Sequence, residues 1–345
     1  MATTLALAGC ASDPAASEHD ADGAALSLVA STNVYADLAQ SIAGDAAEVT
    51  AIIHDSAQDP HEYEATPRDA LALVDADLVI VNGGGYDPFM YTLLEAHPGD
   101  AEVLNVVEIA GLMPEGEAHD HAEHDHDHDH DHDHDEHDHD HGDHDDHGHI
   151  HGVNEHVWYS FSAMSALVDE IAHHLGELDP AHADAFAANA ESLVAGLDDL
   201  TERASGIAQT HAGTHVAITE PVPGYLLEAA GLENLTPDAF SDAVEEGTDA
   251  PALVLRDVEA LVSDGSVDFL AYNEQTVGPQ TEQVLRAAQD AGTPVFRSPN
   301  CFRRGRATWS GWRRTWTRSA PRWRADFDTL ALLATQSATA NPLAG

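Results

Sequence analysis

Imidazoles and carboxylates offer this sequence its richest chemistry, and they are unevenly spread. Residues 119–151 hold 15 of the 25 histidines among 14 carboxylates. The histidines are His119, His121, His124, His126, His128, His130, His132, His134, His137, His139, His141, His144, His147, His149 and His151. Imidazoles two apart on a chain with almost no apolar side chain supply many weak, interchangeable sites. Those sites suit borderline metals such as zinc, copper or nickel better than manganese. The same composition buries too little surface to order itself, so a disordered loop with auxiliary metal binding is expected.

Three single residues stand in quieter surroundings. His61 lies in QDPHEYEATPRD, His156 in NEHVWYS and Glu220 in AITEPVPGYLLEAAGL. Neutral imidazole and ionised carboxylate both exist at pH 7, so two histidines and a glutamate brought together form a compact site for a divalent cation without costly deprotonation. Glu220, before Pro221, has a second reading as a residue that caps or orients the following helix. His54, His97, His173, His174, His182, His211 and His215 read as surface or connector residues. His173 and His174 project about 100° apart on a helix, which disfavours joint chelation. Gly83, Gly84 and Gly85 in NGGGYDPF lack the spacing of nucleotide-binding loops and read as a tight turn that lets the backbone pass a cleft.

Elements must carry these residues to one place. LSLVAS and AEVTAII read as short buried strands around a helix over Tyr35–Ile42, and ADLVIVNGGG repeats the pattern after the helix-like PRDALALV. AEVLNVVEI extends the same sheet. Strands alternating with helices predict a parallel sheet, whose ligands gather beyond the carboxyl ends of the strands. From Phe161 to about Gln209 the sequence becomes Ala-rich and helical, interrupted at Pro180, too long for an ordinary crossover and suited to connecting two lobes. Alternation then resumes with strand HVAIT, helices GYLLEAAG and APALVLRDVEALVSDG, strand VDFLAYN, helix PQTEQVLRAAQDAG and strand TPVF.

A length of 345 residues accommodates two lobes. The net charge is −49, and all 13 cationic residues are Arg. Such a surface excludes nucleic acid, whose capture needs cationic side chains against phosphates, and favours metal cations. Cys10 ends LALAGC and precedes a polar run, a pattern resembling a lipoprotein signal with Cys10 as the lipidated residue. The segment before it is shorter and less basic than a full export signal. No run of about 18 apolar residues predicts a membrane span.

Past Phe296 the composition breaks: residues 297–324 contain 9 of the 13 arginines and four of the five tryptophans. A one-base shift beginning in the codon of Val295 can restore an acidic segment, so the tail reads as a frameshift product. Resequencing the DNA across this stretch would reveal the shift, and an intact frame would refute it.

STNVYADLA, DPHEYEATPRD, the acidic His loop, HVWYS and TEPVPGYLLEAAGL occur in an order that resembles the cluster A-I substrate-binding proteins of bacterial metal ABC transporters. The resemblance covers about residues 26–296. It implies two parallel-sheet α/β lobes joined by a long rigid helix, with one metal held between them. The division is then 1–24 signal and tail, 25–158 N-terminal lobe with the His/Asp loop at 117–152, 159–210 connecting helix, 211–296 C-terminal lobe and 297–345 atypical tail. By position, His61, His156 and Glu220 match three of the family's ligands. The fourth, a carboxylate after the last strand, is absent from the displayed frame and present in the shifted one.

The implied protein is an extracytoplasmic, lipid-anchored monomer that is not an enzyme and passes its cargo to an ABC permease. The His run tilts the cargo to Zn²⁺, and the carboxylates keep Mn²⁺ as the alternative. A metal-dependent hydrolase lacks support, because no HExxH-type motif supplies a general base. A zinc buffer or adhesin that meets no permease is a further alternative.

Overall fold

The computed structural model describes residues 25–55, 58–113 and 153–298. Cys10, the fifteen histidines of the 119–151 run and everything past Ser298 lie outside the described residues.

The first lobe begins with β1 (Leu26–Thr32), α1 (Asn33–Ala43), a 3-10 turn (Gly44–Ala46) and β2 (Ala47–Ile53). It continues with α2 (Pro67–Val74), β3 (Leu78–Val81), α3 (Pro88–Ala96), β4 (Glu102–Asn105) and the short α4 (Val106–Ile109). The strands form a parallel sheet in the order β2-β1-β3-β4, with Leu28 level with both Val49 and Leu78. Leu28, Val29 and Ala30 are all buried, as the unbroken apolar run of a central parallel strand requires. The expected strand AEVLNVVEI is divided, because Asn105 caps α4 by accepting the Glu108 amide.

After a 3-10 turn (Val157–Tyr159) come two helices, α5 (Phe161–Leu178) and α6 (Ala183–His211), with Pro180 in the break between them. The stretch read as one interrupted helical connector is thus two helices packed on one another. Along α6 the buried residues are Phe186, Ala190, Leu193, Leu197, Leu200, Ala204 and Ile207, alternately four and three apart. That spacing keeps one stripe facing inward for the whole length of about 44 Å. Near one end Asn189 donates to the Ile42 carbonyl at the end of α1, 2.9 Å away. Near the other, a Cβ on Gly231 would stand 2.9 Å from the Ala208 methyl. One helix therefore touches both lobes.

The second lobe contains β5 (His215–Ile218), α7 (Gly224–Ala229), β6 (Glu233–Asn234) and α8 (Asp238–Glu245). It is completed by α9 (Ala252–Ser263), β7 (Phe269–Asn273), α10 (Pro279–Ala291) and β8 (Val295–Ser298). Its parallel sheet has the order β6-β5-β7-β8, the same permutation as the first. In each sheet the order reverses between the two central strands, β1/β3 and β5/β7, which opens a crevice beyond their carboxyl ends. A continuous apolar core runs from β1 and α1 through α5 and α6 to Val216, Ile218 and Phe269 of the second sheet. Among the described residues no helix is long and apolar enough to cross a membrane.

Candidate metal centre

His61 reaches the crevice on the loop after β2, and the sequence following it explains why the loop is ordered. Thr66 and Pro67 begin α2 with a capping box closed by Asp69. The Asp69 carboxylate also accepts the Tyr63 hydroxyl at 2.9 Å, tying the loop to the helix two residues beyond His61. The His61 backbone amide donates to Asp59 Oδ1 at 3.1 Å.

His156 arrives on the segment before the 3-10 turn, which packs against the turn after β3. Its approach depends on the three glycines after β3, all left-handed with φ of 81, 68 and 96°. A Cβ on Gly83 would stand 2.2 Å from Asn105 Oδ1, and one on Gly84 would stand 3.2 Å from the Glu155 Cβ. The turn therefore needs glycine both for its backbone and for the closeness of its neighbours. Behind it, the buried Asp87 carboxylate accepts the Asn82 and Gly83 amides at 2.6 and 3.0 Å. Asn82 in turn donates through Nδ2 to the Glu155 carbonyl at 2.9 Å.

The two imidazoles lie 6.2 Å apart between ring centroids, both edge-on to Tyr86. Trp158 closes the wall behind them, 4.7 Å from the Tyr86 ring and 5.1 Å from that of His156. Such a wall holds ring orientation and keeps water from one side of the site.

The second lobe contributes carboxylates. His61, His156 and Glu245 each offer a donor atom such that all three lie within 4.8 Å of one another. A small inward shift would bring them to metal-bond lengths of about 2.0–2.2 Å. Glu220 is not in that group. It is buried at the end of β5, and Asn273 at the end of β7 donates to its carboxylate. Among the described residues the expected trio is therefore only partly assembled: the two histidines meet, and Glu245 joins them where Glu220 was expected. Glu245 ends α8, a helix overlooked in the sequence although TPDAFSDAVEEG carries a Pro–Asp start and a Gly stop.

Charge is crowded here. Burial pushes the Glu220 carboxyl up to about 7, against the hydrogen bond from Asn273, and the carboxylates of Asp59 and Glu155 push it further. Burial and then Glu155, Glu220, Asp242 and Glu246 raise Glu245 as well. Glu245 also stands at the negative end of its helix dipole. Glu155 is itself buried, with Oε1 4.0 Å from His61 Nε2. Buried carboxylates that repel one another beside two imidazoles are a donor set completed by a divalent cation, which favours their ionised forms.

Among the described residues the other histidines are not part of that group. His173 and His174 face Glu177 and Glu170 along α5, His182 pairs with Asp179 in the break after α5, and His215 faces Glu233.

The profile of the family described as "ZnuA: Zinc-uptake complex component A periplasmic" matches residues 28–318. The manganese-binding lipoprotein MntA of Halalkalibacterium halodurans is 28% identical over 202 residues, covering 59% of this chain and 55% of that protein. The manganese-binding lipoprotein MntA of Bacillus subtilis is 28% identical over 191 residues, 54% of this chain and 51% of that one. The chain thus spans about half the length of these curated relatives. Among solved structures, a crystal structure of ZnuA superposes with a TM-score of 0.61 at 16% identity, covering 91% of this chain and 98% of that one. The periplasmic zinc binding protein TroA of Treponema pallidum gives 0.59 at 17% identity, with coverages of 91% and 98%. At these identities the structural likeness shows the shared two-lobe fold.

Proposed function

This chain belongs to the ZnuA family, zinc-uptake complex component A, and from that premise we propose that it captures a divalent transition metal between its lobes for delivery to an ABC permease. The observation that carries the reading is the meeting of His61 and His156 from the first lobe with Glu245 from the second, within 4.8 Å. Donors from both lobes couple cargo to lobe position: an ion bound there stabilises the closed arrangement, and separation of the lobes releases it. Glu220, two residues past the end of β5, supplies a further carboxylate as the site contracts.

Manganese is the cargo that this donor set favours, because Glu245 and Glu220 bring carboxylate oxygens beside the two imidazoles, and oxygen donors suit the harder ion. Two similar proteins carry manganese in their names. Zinc is the second reading, favoured by the two imidazoles and by the His-rich run. Lipidation at Cys10 and an extracytoplasmic location complete the proposal, and both rest on the sequence.

Titration of the full chain with Mn²⁺ and Zn²⁺, in competition with a chelator, tests the assignment. One tight site lost in His61→Ala is the expected result. Unchanged tight binding in both His61→Ala and His156→Ala would refute the site. Because zinc outbinds manganese at most nitrogen and oxygen sites, affinity alone does not identify the cargo. The metal content of protein isolated from cells supplied with both ions at equal concentration decides between them.

A further inference from the structure

Asn154, two residues before His156, is engaged at three points. Its Oδ1 accepts the His156 backbone amide at 3.1 Å and lies 2.8 Å from ring Nδ1 of the same residue. Its Nδ2 donates to the carbonyl of Pro221, 2.9 Å away in the second lobe. Its own carbonyl accepts the Tyr225 hydroxyl at 2.7 Å. The packing is close enough that a Cβ on Gly224 would fall 2.6 Å from Asn154 Nδ2.

These partners determine the amide's orientation. A backbone N–H can only donate and a peptide carbonyl can only accept, so Oδ1 faces His156 and Nδ2 faces Pro221. An acceptor 2.8 Å from Nδ1 then calls for a proton on that nitrogen. The neutral imidazole is therefore the Nδ1–H tautomer, with its lone pair on Nε2. Glu245 Oε1, 3.6 Å from the same Nδ1, is too distant to take over that hydrogen bond.

We propose that Asn154 is a positioning residue that couples the relative placement of the lobes to the ligand state of His156. The proposal rests on the reading of His156 as a metal ligand. The amide that selects the Nε2 lone pair is the same amide that fastens the histidine's segment to the backbone after β5. Drawing residues 221–225 away from Asn154 frees the amide to turn, and His156 loses the acceptor that holds its tautomer. A metal on Nε2 acidifies Nδ1–H and strengthens the bond to Asn154, so loading the site also tightens the contact between lobes. By linkage the two effects are reciprocal.

The test uses the full chain, ¹⁵N-labelled at histidine and loaded with Zn²⁺, with the His156 signals assigned by their loss in His156→Gln. Long-range ¹H–¹⁵N spectra are expected to show coordination through Nε2 and a proton on Nδ1. In the metal-free chain Asn154→Ala should lose that single tautomer, and from the loaded chain it should speed chelator-driven release about 10–100-fold, the usual effect of removing a ligand's outer partner. Asn154→Asp keeps the acceptor but not the donor to Pro221, so the tautomer should persist while release quickens; it also serves if the alanine variant fails to fold. Tyr225→Phe should quicken release without altering the tautomer. Coordination through Nδ1 in the unmodified chain overturns the proposal. So does unchanged release in both Asn154 variants while His61→Ala abolishes loading. If His61→Ala loads as tightly as the unmodified chain, the metal site itself is wrong, and the proposal falls with it.

Discussion

His156 Nδ1 and Glu245 Oε1 approach to 3.6 Å, one from each lobe. The distance is too long for a hydrogen bond. It leaves Glu245 largely buried at the crevice without that partner, crowded by the carboxylates of Glu155 and Glu220.

Glu245→Gln keeps the shape of the side chain and removes its charge. Tight metal binding should weaken by more than about a hundredfold, above the range for losing an outer partner. The apo protein should gain stability at neutral pH, because a neutral amide replaces a carboxyl that burial and then neighbouring carboxylates disfavour in its ionised form. Isothermal titration and thermal melts of the metal-free chain read both effects, and equal affinity in the variant would remove Glu245 from the ligand set.

Glu220 makes the apo protein sensitive to pH. Its folded pKa is raised to about 7 from an ordinary 4.5. The folded state therefore holds a proton that the unfolded state releases. The associated stability is full below pH 4.5 and is lost as pH rises through 7, on the order of 3 kcal/mol over the window. Melting temperatures of the metal-free chain should fall across that interval, and Glu220→Gln should flatten the decline. Metal affinity should move the opposite way, rising with pH as protons leave the carboxylates.

Gly84→Ala tests the turn that brings Glu155 and His156 into place. The new methyl would meet the Glu155 Cβ at 3.2 Å on a backbone held at φ 68°. A loss of about 1–3 kcal/mol in urea unfolding is expected from backbone strain. Metal affinity should fall with it, because the segment carrying His156 is pushed outward. A variant that binds metal normally would show that the turn does not position the site.

Deleting residues 119–151 should remove the many weak sites and leave one tight one. Equilibrium dialysis at rising metal concentration separates the two classes. Loss of the tight site with the deletion would move the metal centre from the crevice to the loop.

Much of this protein was legible in one dimension. Buried runs such as LSLVAS and ADLVIVNGGG determine parallel strands, because central strands covered on both faces need apolar residues at every position. His61 stands out after such a strand and His156 after the His/Asp run, in an order that a two-lobe metal-binding family shares. The four-and-three spacing from Phe186 to Ile207 likewise marks a long helix with one inward stripe.

Tertiary structure decided what meets these histidines. Glu245 ends a short helix 89 residues beyond His156 in a chain with 62 acids, and nothing local separates it from Glu246 beside it. Its place beside the histidines follows from where α8 ends against the crevice, a property of packing between lobes. Pro180 presents the same limit: the sequence marks a break, and only the contact between α5 and α6 shows how the chain continues after it. Asn154 is likewise an ordinary polar residue until the fold places Pro221 on one side of its amide and His156 on the other. Periodicity and local sequence specify each element with its buried face; long-range contacts choose which donors from separate elements share one small volume.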